Sequence, residues 1–178
     1  MRLIAITLTV LAAATFSPAT NADDDSKRSA ELQVLDRFGG TWDVDVTVKQ
    51  AAGKNTTLKY TERREWSLGG QFIHFQKADK DNSAFPPEFH LLLTYDAATK
   101  AYSGMEMVGT AGFLVNATWD EATSTMTMNG KSPTDDRTSF VYENRFIDKD
   151  HIEATGAIKN AEGDVVVELT YKQTRRKE

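Results

Sequence analysis

From Thr41 onward the sequence adopts a period of two and keeps it almost to the end of the chain. In the first such stretch Trp42, Val44, Val46 and Val48 fall on one side of an extended backbone, with Asp43, Asp45 and Thr47 on the other. That alternation is what a strand with one face on a core requires. Further strands are predicted at about 56–66, 71–78, 89–96, 101–109, 112–119, 124–131, 137–147, 151–159 and 164–175. The separators carry turn chemistry: Ala52-Gly53-Lys54-Asn55, Gly69-Gly70, Asp96 to Lys100, Asp120-Glu121-Ala122, Pro133 to Asp136, Asp148-Lys149-Asp150 and Glu162-Gly163-Asp164. No linker, internal repeat or second helical pattern interrupts them. About ten short strands joined by tight turns make an antiparallel meander, and closure into a barrel removes the two edges such a sheet would expose. The expected fold is all-β, a single antiparallel meander barrel of about ten strands preceded by one short helix. That helix is predicted over Ser26 to Phe38, where Leu32, Leu35 and Phe38 share a face, and Gly39-Gly40 stops it.

Residues 1–22 stand apart from this pattern. Arg2 gives a short positive start, Leu3 to Ala14 is almost wholly apolar, and Thr20-Asn21-Ala22 supplies small residues for cleavage. A membrane span needs about 20 apolar residues, so the stretch reads as a cleaved signal peptide. A buried helix is a poorer reading, because Asp23-Asp24-Asp25 follows with no amphipathic pattern. The barrel domain is then 23–178, long enough to bury roughly two-thirds of its unfolded surface. The chain contains no cysteine, so it has no disulfide framework and no residue for a bacterial lipid anchor. A soluble secreted or periplasmic protein is expected. With 26 acidic against 21 basic residues, and Arg175-Arg176-Lys177 as its basic cluster, the chain has no phosphate track for nucleic acid.

Four stretches, "LDRFGGTWDV", "LGGQFI", "LLLTYDAATKAY" and "LTYKQTRRK", together resemble a bacterial family defined as domain of unknown function 1579. The resemblance covers most of the chain after the signal peptide. It implies a calycin-like barrel, related in shape to lipocalins and fatty-acid-binding proteins, and brings no established activity. In calycins a glycine-x-tryptophan on the first strand packs at the closed end beneath a basic residue of the last strand. Gly40-Thr41-Trp42 matches the first half of that pattern, and Arg175 shares parity with Val165, Val167, Leu169 and Tyr171 on the last strand. A guanidinium over an indole face contributes about 0.5–2 kcal/mol, so Trp42 and Arg175 are expected to close the barrel. A related haem-binding barrel family continues this opening with two further glycines, which Asp43, Val44 and Asp45 replace here.

The second strand is unusual, because Glu62 and Arg64 share the parity of Leu58, Tyr60 and Trp66. Buried charges need partners. Either the two form an interior polar network able to orient a ligand's head group, or a bulge or rim position turns them outward. Asn144, between Tyr142 and Phe146, raises the same choice. His74 follows the parity of Phe72 and is expected inside, whereas His90 opposes Phe89 and Leu91. With His151 these histidines form no zinc-ligand pattern and no recognisable haem site, so no metal or cofactor is expected. Asp79, Asp81 and Ser83 begin like a calcium loop but reach Ala84 and His90 where glycine and glutamate are required. There is no cysteine and no nucleophile-elbow serine, and Gly104, Gly109 and Gly112 lie in a hairpin. The connection Asp79 to Glu88, with Pro86-Pro87 between Phe85 and Phe89, is the longest, and long loops in small domains are often lids.

The leading expectation is an exported soluble barrel that binds a small apolar or amphipathic molecule in its interior. The candidate contacts are Tyr60, Arg64, Phe72, His74, Leu91, Tyr95, Met107, Phe113, Asn116 and Tyr142. One rival is a barrel with a filled core that acts through its surface as an envelope interaction or inhibitor module. Another is an enzyme without a recognisable linear motif. Interior volume separates the first two, since ligand cavities begin at about 300 Å³.

Overall fold

The computed structural model describes residues 28–51, 53, 55–78, 87–134 and 138–177. After α1 (Ala30–Asp36) come β1 (Gly40–Gln50), β2 (Asn55–Ser67), β3 (Phe72–Lys77), β4 (Phe89–Asp96) and β5 (Ala101–Val108). The chain continues through β6 (Ala111–Asp120), β7 (Thr125–Lys131), β8 (Ser139–Phe146), β9 (His151–Lys159) and β10 (Val165–Arg175). Each strand pairs with its chain neighbours and β10 returns to β1, so the sheet is a closed barrel of ten antiparallel strands. Period-two alternation and turn chemistry therefore place all ten strands. The helix is shorter than expected, because Ser29 is extended and caps it, its hydroxyl accepting from the Leu32 N–H at 3.3 Å.

The pairing of β1 with β2 runs without interruption from Gly40 opposite Arg64 to Lys49 opposite Asn55. A bulge in that part of β2 is thereby excluded, and Glu62 and Arg64 keep the inward parity of Tyr60. The register does shift on β10, between Val165 and Val167, and Val165 is 42% exposed instead of inward.

One end of the barrel is closed by α1 and the residues after it. Leu35, Phe38 and Trp42 are essentially inaccessible to solvent, and the Trp42 indole N–H donates to the Phe38 carbonyl at 2.7 Å. The Arg175 guanidinium lies 4.3 Å from the centre of the Trp42 ring. It also donates to the carbonyls of Arg37 (2.8 Å) and Lys149 (3.0 and 3.1 Å) and to that of Gly39. A single side chain thus joins the end of α1, the β8–β9 turn and the last strand. Gly40, at φ 108°, makes room for it: a Cβ there would stand 2.8 Å from Arg175 Nη1. Two further bonds hold the helix, from the Tyr102 hydroxyl to the Glu31 carbonyl at 2.9 Å and from the Trp66 indole to Asp36 at 2.7 Å. Above this end Ile73, Phe75, Leu93, Val115, Met126 and Ile152 complete an apolar core.

Candidate ligand cavity

Beyond that core the inward residues stop meeting across the barrel. They enclose a cavity of about 330 Å³ toward the end where β1 finishes at Gln50, β4 begins at Phe89 and β5 finishes at Val108. Val46, Val48, Leu91, Met128, Ile158 and Leu169 give it an apolar wall. Pro87 and Phe89 line it as well, but residues 79–86 of the expected lid lie outside the described residues.

Gln50 of β1 stands at the mouth, and the other polar groups come from four strands. Along β2, period-two alternation sends in Tyr60, Glu62 and Arg64; along β10 it sends in Tyr171 and Gln173, opposite Val46 and Val44 of β1. Tyr142 and Asn144 enter from β8 and Glu106 from β5. Gly156 on β9 makes the place for Tyr142, since a Cβ there would collide with the tyrosine ring.

Arg64 forms the cavity floor. Its Nε donates to Glu62 Oε1 at 2.8 Å and its Nη2 donates to Gln173 Oε1. The guanidinium rests over Trp42, Phe75 and Phe38, at 4.9, 5.1 and 5.8 Å from their ring centres. Trp42 therefore carries two guanidinium groups, those of Arg64 and Arg175. Its Nη1 is buried with no hydrogen-bond partner.

Glu106 differs from Arg64 in having no partner side chain among the described residues. Burial, with the Glu62 charge adding, pushes its carboxyl up to about 7, and no hydrogen bond opposes that rise. Burial also raises the tyrosine hydroxyls of Tyr60, Tyr142 and Tyr171, so all three are neutral donors at physiological pH. The cavity is thus an apolar chamber with three hydroxyls, side-chain amides, the Arg64–Glu62 ion pair and the Glu106 carboxyl.

Of the ten expected contacts, Tyr60, Arg64, Leu91 and Tyr142 line this chamber. Tyr95 and Phe113 point inward but pack into the core, Tyr95 against Tyr102 and Phe113 against Phe140, with ring centres 5.1 and 5.3 Å apart. The other four face outward. On β3 the inward parity belongs to Ile73 and Phe75, opposite Trp66 and Arg64, so Phe72 and His74 lie outside. There His74 stacks on His90, Nε2 to Nδ1 at 3.0 Å, and burial followed by the neighbouring imidazole lowers its pKa. Met107 is 39% exposed because β5 turns Glu106 inward. Asn116 is exposed because it stands three residues from Phe113, and an unbroken strand cannot put both on one face.

Sequence reasoning missed Glu106 as a site residue, although a signal existed. A two-residue turn, Gly109-Thr110, pairs Glu106 with Phe113, so an inward Phe113 implies an inward Glu106. Tyr171 and Gln173 were accessible in the same way from the parity of Leu169.

A family model described as "Protein of unknown function (DUF1579)" matches residues 27–175. The chain belongs to that family. No functionally curated protein matches this DUF1579 chain. Among solved structures, it is similar to the S-type phycobiliprotein lyase CPES from Guillardia theta, with a TM-score of 0.60 and 14% identity. That superposition covers 85% of this chain and 95% of the lyase, and it shows a shared calycin-like barrel. A chain described as EF1p2_mFAP2b bound to DFHBI reaches a TM-score of 0.37 at 12% identity, over 82% of this chain and 98% of its own. A DUF3598 protein of unknown function from Nostoc punctiforme reaches 0.25 at 8% identity, over 84% and 100%. Scores that low do not bear on the fold. Among the described residues no helix is long and apolar enough to cross a membrane.

Proposed function

We propose that this DUF1579 barrel binds a small, mostly apolar molecule in its interior, with the molecule's polar end directed at the tyrosine hydroxyls and Glu106. One observation carries the reading: about 330 Å³ of interior space is walled by aliphatic side chains, while polar groups converge on one region of it. Cavities of this size and composition are the usual form of small-molecule sites. A barrel acting only through its surface has no need of a chamber of this size. The phycobiliprotein lyase has the same barrel, and at 14% identity that likeness supports the architecture and names no substrate for this chain.

The proposal includes export. Its support is the charged start at Arg2, the apolar run Leu3 to Ala14 and the small residues Thr20-Asn21-Ala22, which read as a removable signal of 22 residues.

Native mass spectrometry of the full chain, incubated with a mixture of small apolar and amphipathic molecules, tests interior binding. The expected spectrum contains a one-to-one complex that disappears on denaturation. A spectrum of bare chain alone, at ligand concentrations well above micromolar, contradicts the reading.

A further inference from the structure

We propose that the cavity selects molecules carrying a basic nitrogen over molecules carrying a carboxylate, and that Glu106 is the group that makes the choice. This rests on the interior-binding reading and adds the ligand's chemical class to it.

The first step concerns Arg64, the cation of the cavity and the group that would be expected to take an anion. Its side chain is only 3% exposed, and Nε and Nη2 are committed to Glu62 and Gln173. The remaining nitrogen, Nη1, is enclosed, while the guanidinium face is covered by Trp42, Phe75 and Phe38. Because Nη1 is enclosed and the side chain is only 3% exposed, a ligand carboxylate reaches Arg64 only by displacing the side chains packed over it.

The second step concerns what is free. Glu106 lines the cavity and has no hydrogen bond or ion pair with any described residue. The residues opposite it on the flanking strands are apolar, Leu91 on β4 and Phe113 on β6. The imidazole on β4, His90, faces outward and pairs with His74. From β2 the groups that face the same space are Tyr60, Glu62 and Arg64; from β8 they are Tyr142 and Asn144; from β10 they are Tyr171 and Gln173. Only Glu62 and Arg64 among these carry charge, and they neutralise each other. Glu106 shares the cavity lining with all three tyrosines.

The third step follows from charge. With Glu106 ionised the chamber carries two carboxylates against one guanidinium, so it repels an anion and is completed by a cation. An ammonium beside Glu106 also lies among aromatic rings, whose faces favour cations by about 0.5–2 kcal/mol each. A ligand carboxylate would meet the like charge of Glu106, with hydroxyl and amide groups to donate to it and no free cation among the described lining residues.

Binding then depends on pH in a defined sense. The carboxyl, held near 7 by burial, must lose its proton to pair with the ammonium. An alkylamine stays charged throughout, as lysine does with a pKa of about 10.4. Affinity therefore rises through neutrality and is lost toward acid, by roughly 100-fold between pH 8 and pH 5.

The test compares octylamine, octanol and octanoate with the full chain by isothermal titration calorimetry. At pH 8 octylamine is expected to bind about tenfold or more tightly than octanoate, and to weaken by roughly 100-fold at pH 5. Glu106→Gln is expected to abolish both the preference and the pH dependence. Octanoate binding as well as octylamine, or octylamine affinity that does not change with pH, overturns the selectivity while octanol binding keeps the cavity reading intact. Failure of all three probes overturns both. The wild-type pH series decides the matter even if the variant does not fold.

Discussion

Arg64 and Glu62 stand two residues apart on β2 and meet inside the barrel, Nε to Oε1 at 2.8 Å, with the two side chains 3% and 8% exposed. Their position makes each necessary to the other. Arg64→Met leaves a buried carboxylate without its partner and is expected to cost about 3–5 kcal/mol in chemical denaturation. Adding Glu62→Gln should recover a large part of that loss. A single variant within about 0.5 kcal/mol of wild type would mean that the pair is exposed to water.

Trp42 and Arg175 close the barrel end against which the Arg64–Glu62 pair rests. Because the guanidinium covers the indole and also holds three backbone carbonyl groups, Trp42→Ala and Arg175→Ala should not be additive. A double-mutant cycle is expected to give a coupling of about 0.5–2 kcal/mol. Simple additivity would show that the contact does not stabilise the closure.

The part of this arrangement legible in the sequence was the part governed by period and turns. Alternation fixed the strands, and Gly-Thr-Trp with Arg175 fixed which end is closed. Inside the barrel, Tyr60 and Arg64 could be found because β2 alternates cleanly. On β3 both parities carry bulky residues, Phe72 and His74 against Ile73 and Phe75, so composition could not choose and the register with β2 was needed. On β5 the apolar-looking residues mislead: Met105 and Met107 are 45% and 39% exposed, and the lone acidic residue between them is the inward one. A carboxylate on an inner face contradicts local hydropathy, and such contradictions gather at functional sites.

Glu106 also gives stability a pH dependence. Its folded pKa is about 7, above its ordinary 4.5, so the folded state holds this proton more tightly than the unfolded chain does. The contribution is complete below the unfolded value and is lost as pH rises from about 4.5 to about 7. Compared with Glu106→Gln, wild type is expected to lose about 1–3 kcal/mol between pH 4.5 and pH 8. Denaturation curves of the two proteins that stay parallel across this range would contradict the burial of the carboxyl.

Export predicts a processed N-terminus. Protein recovered outside the cytoplasm should begin at or near Asp23 by N-terminal sequencing, and a membrane-bound form that retains Met1 would contradict it.

Interior binding itself is tested most directly by filling the chamber. Ala154 lines the cavity between Tyr171 and Asn144, so Ala154→Phe puts a ring where a ligand would lie. An environment-sensitive apolar dye is expected to bind wild type with micromolar affinity, about −8 kcal/mol. The folded variant, checked by circular dichroism, should bind it about tenfold or more weakly. Equal dye binding by wild type and a folded Ala154→Phe variant would place the dye elsewhere and contradict the interior site.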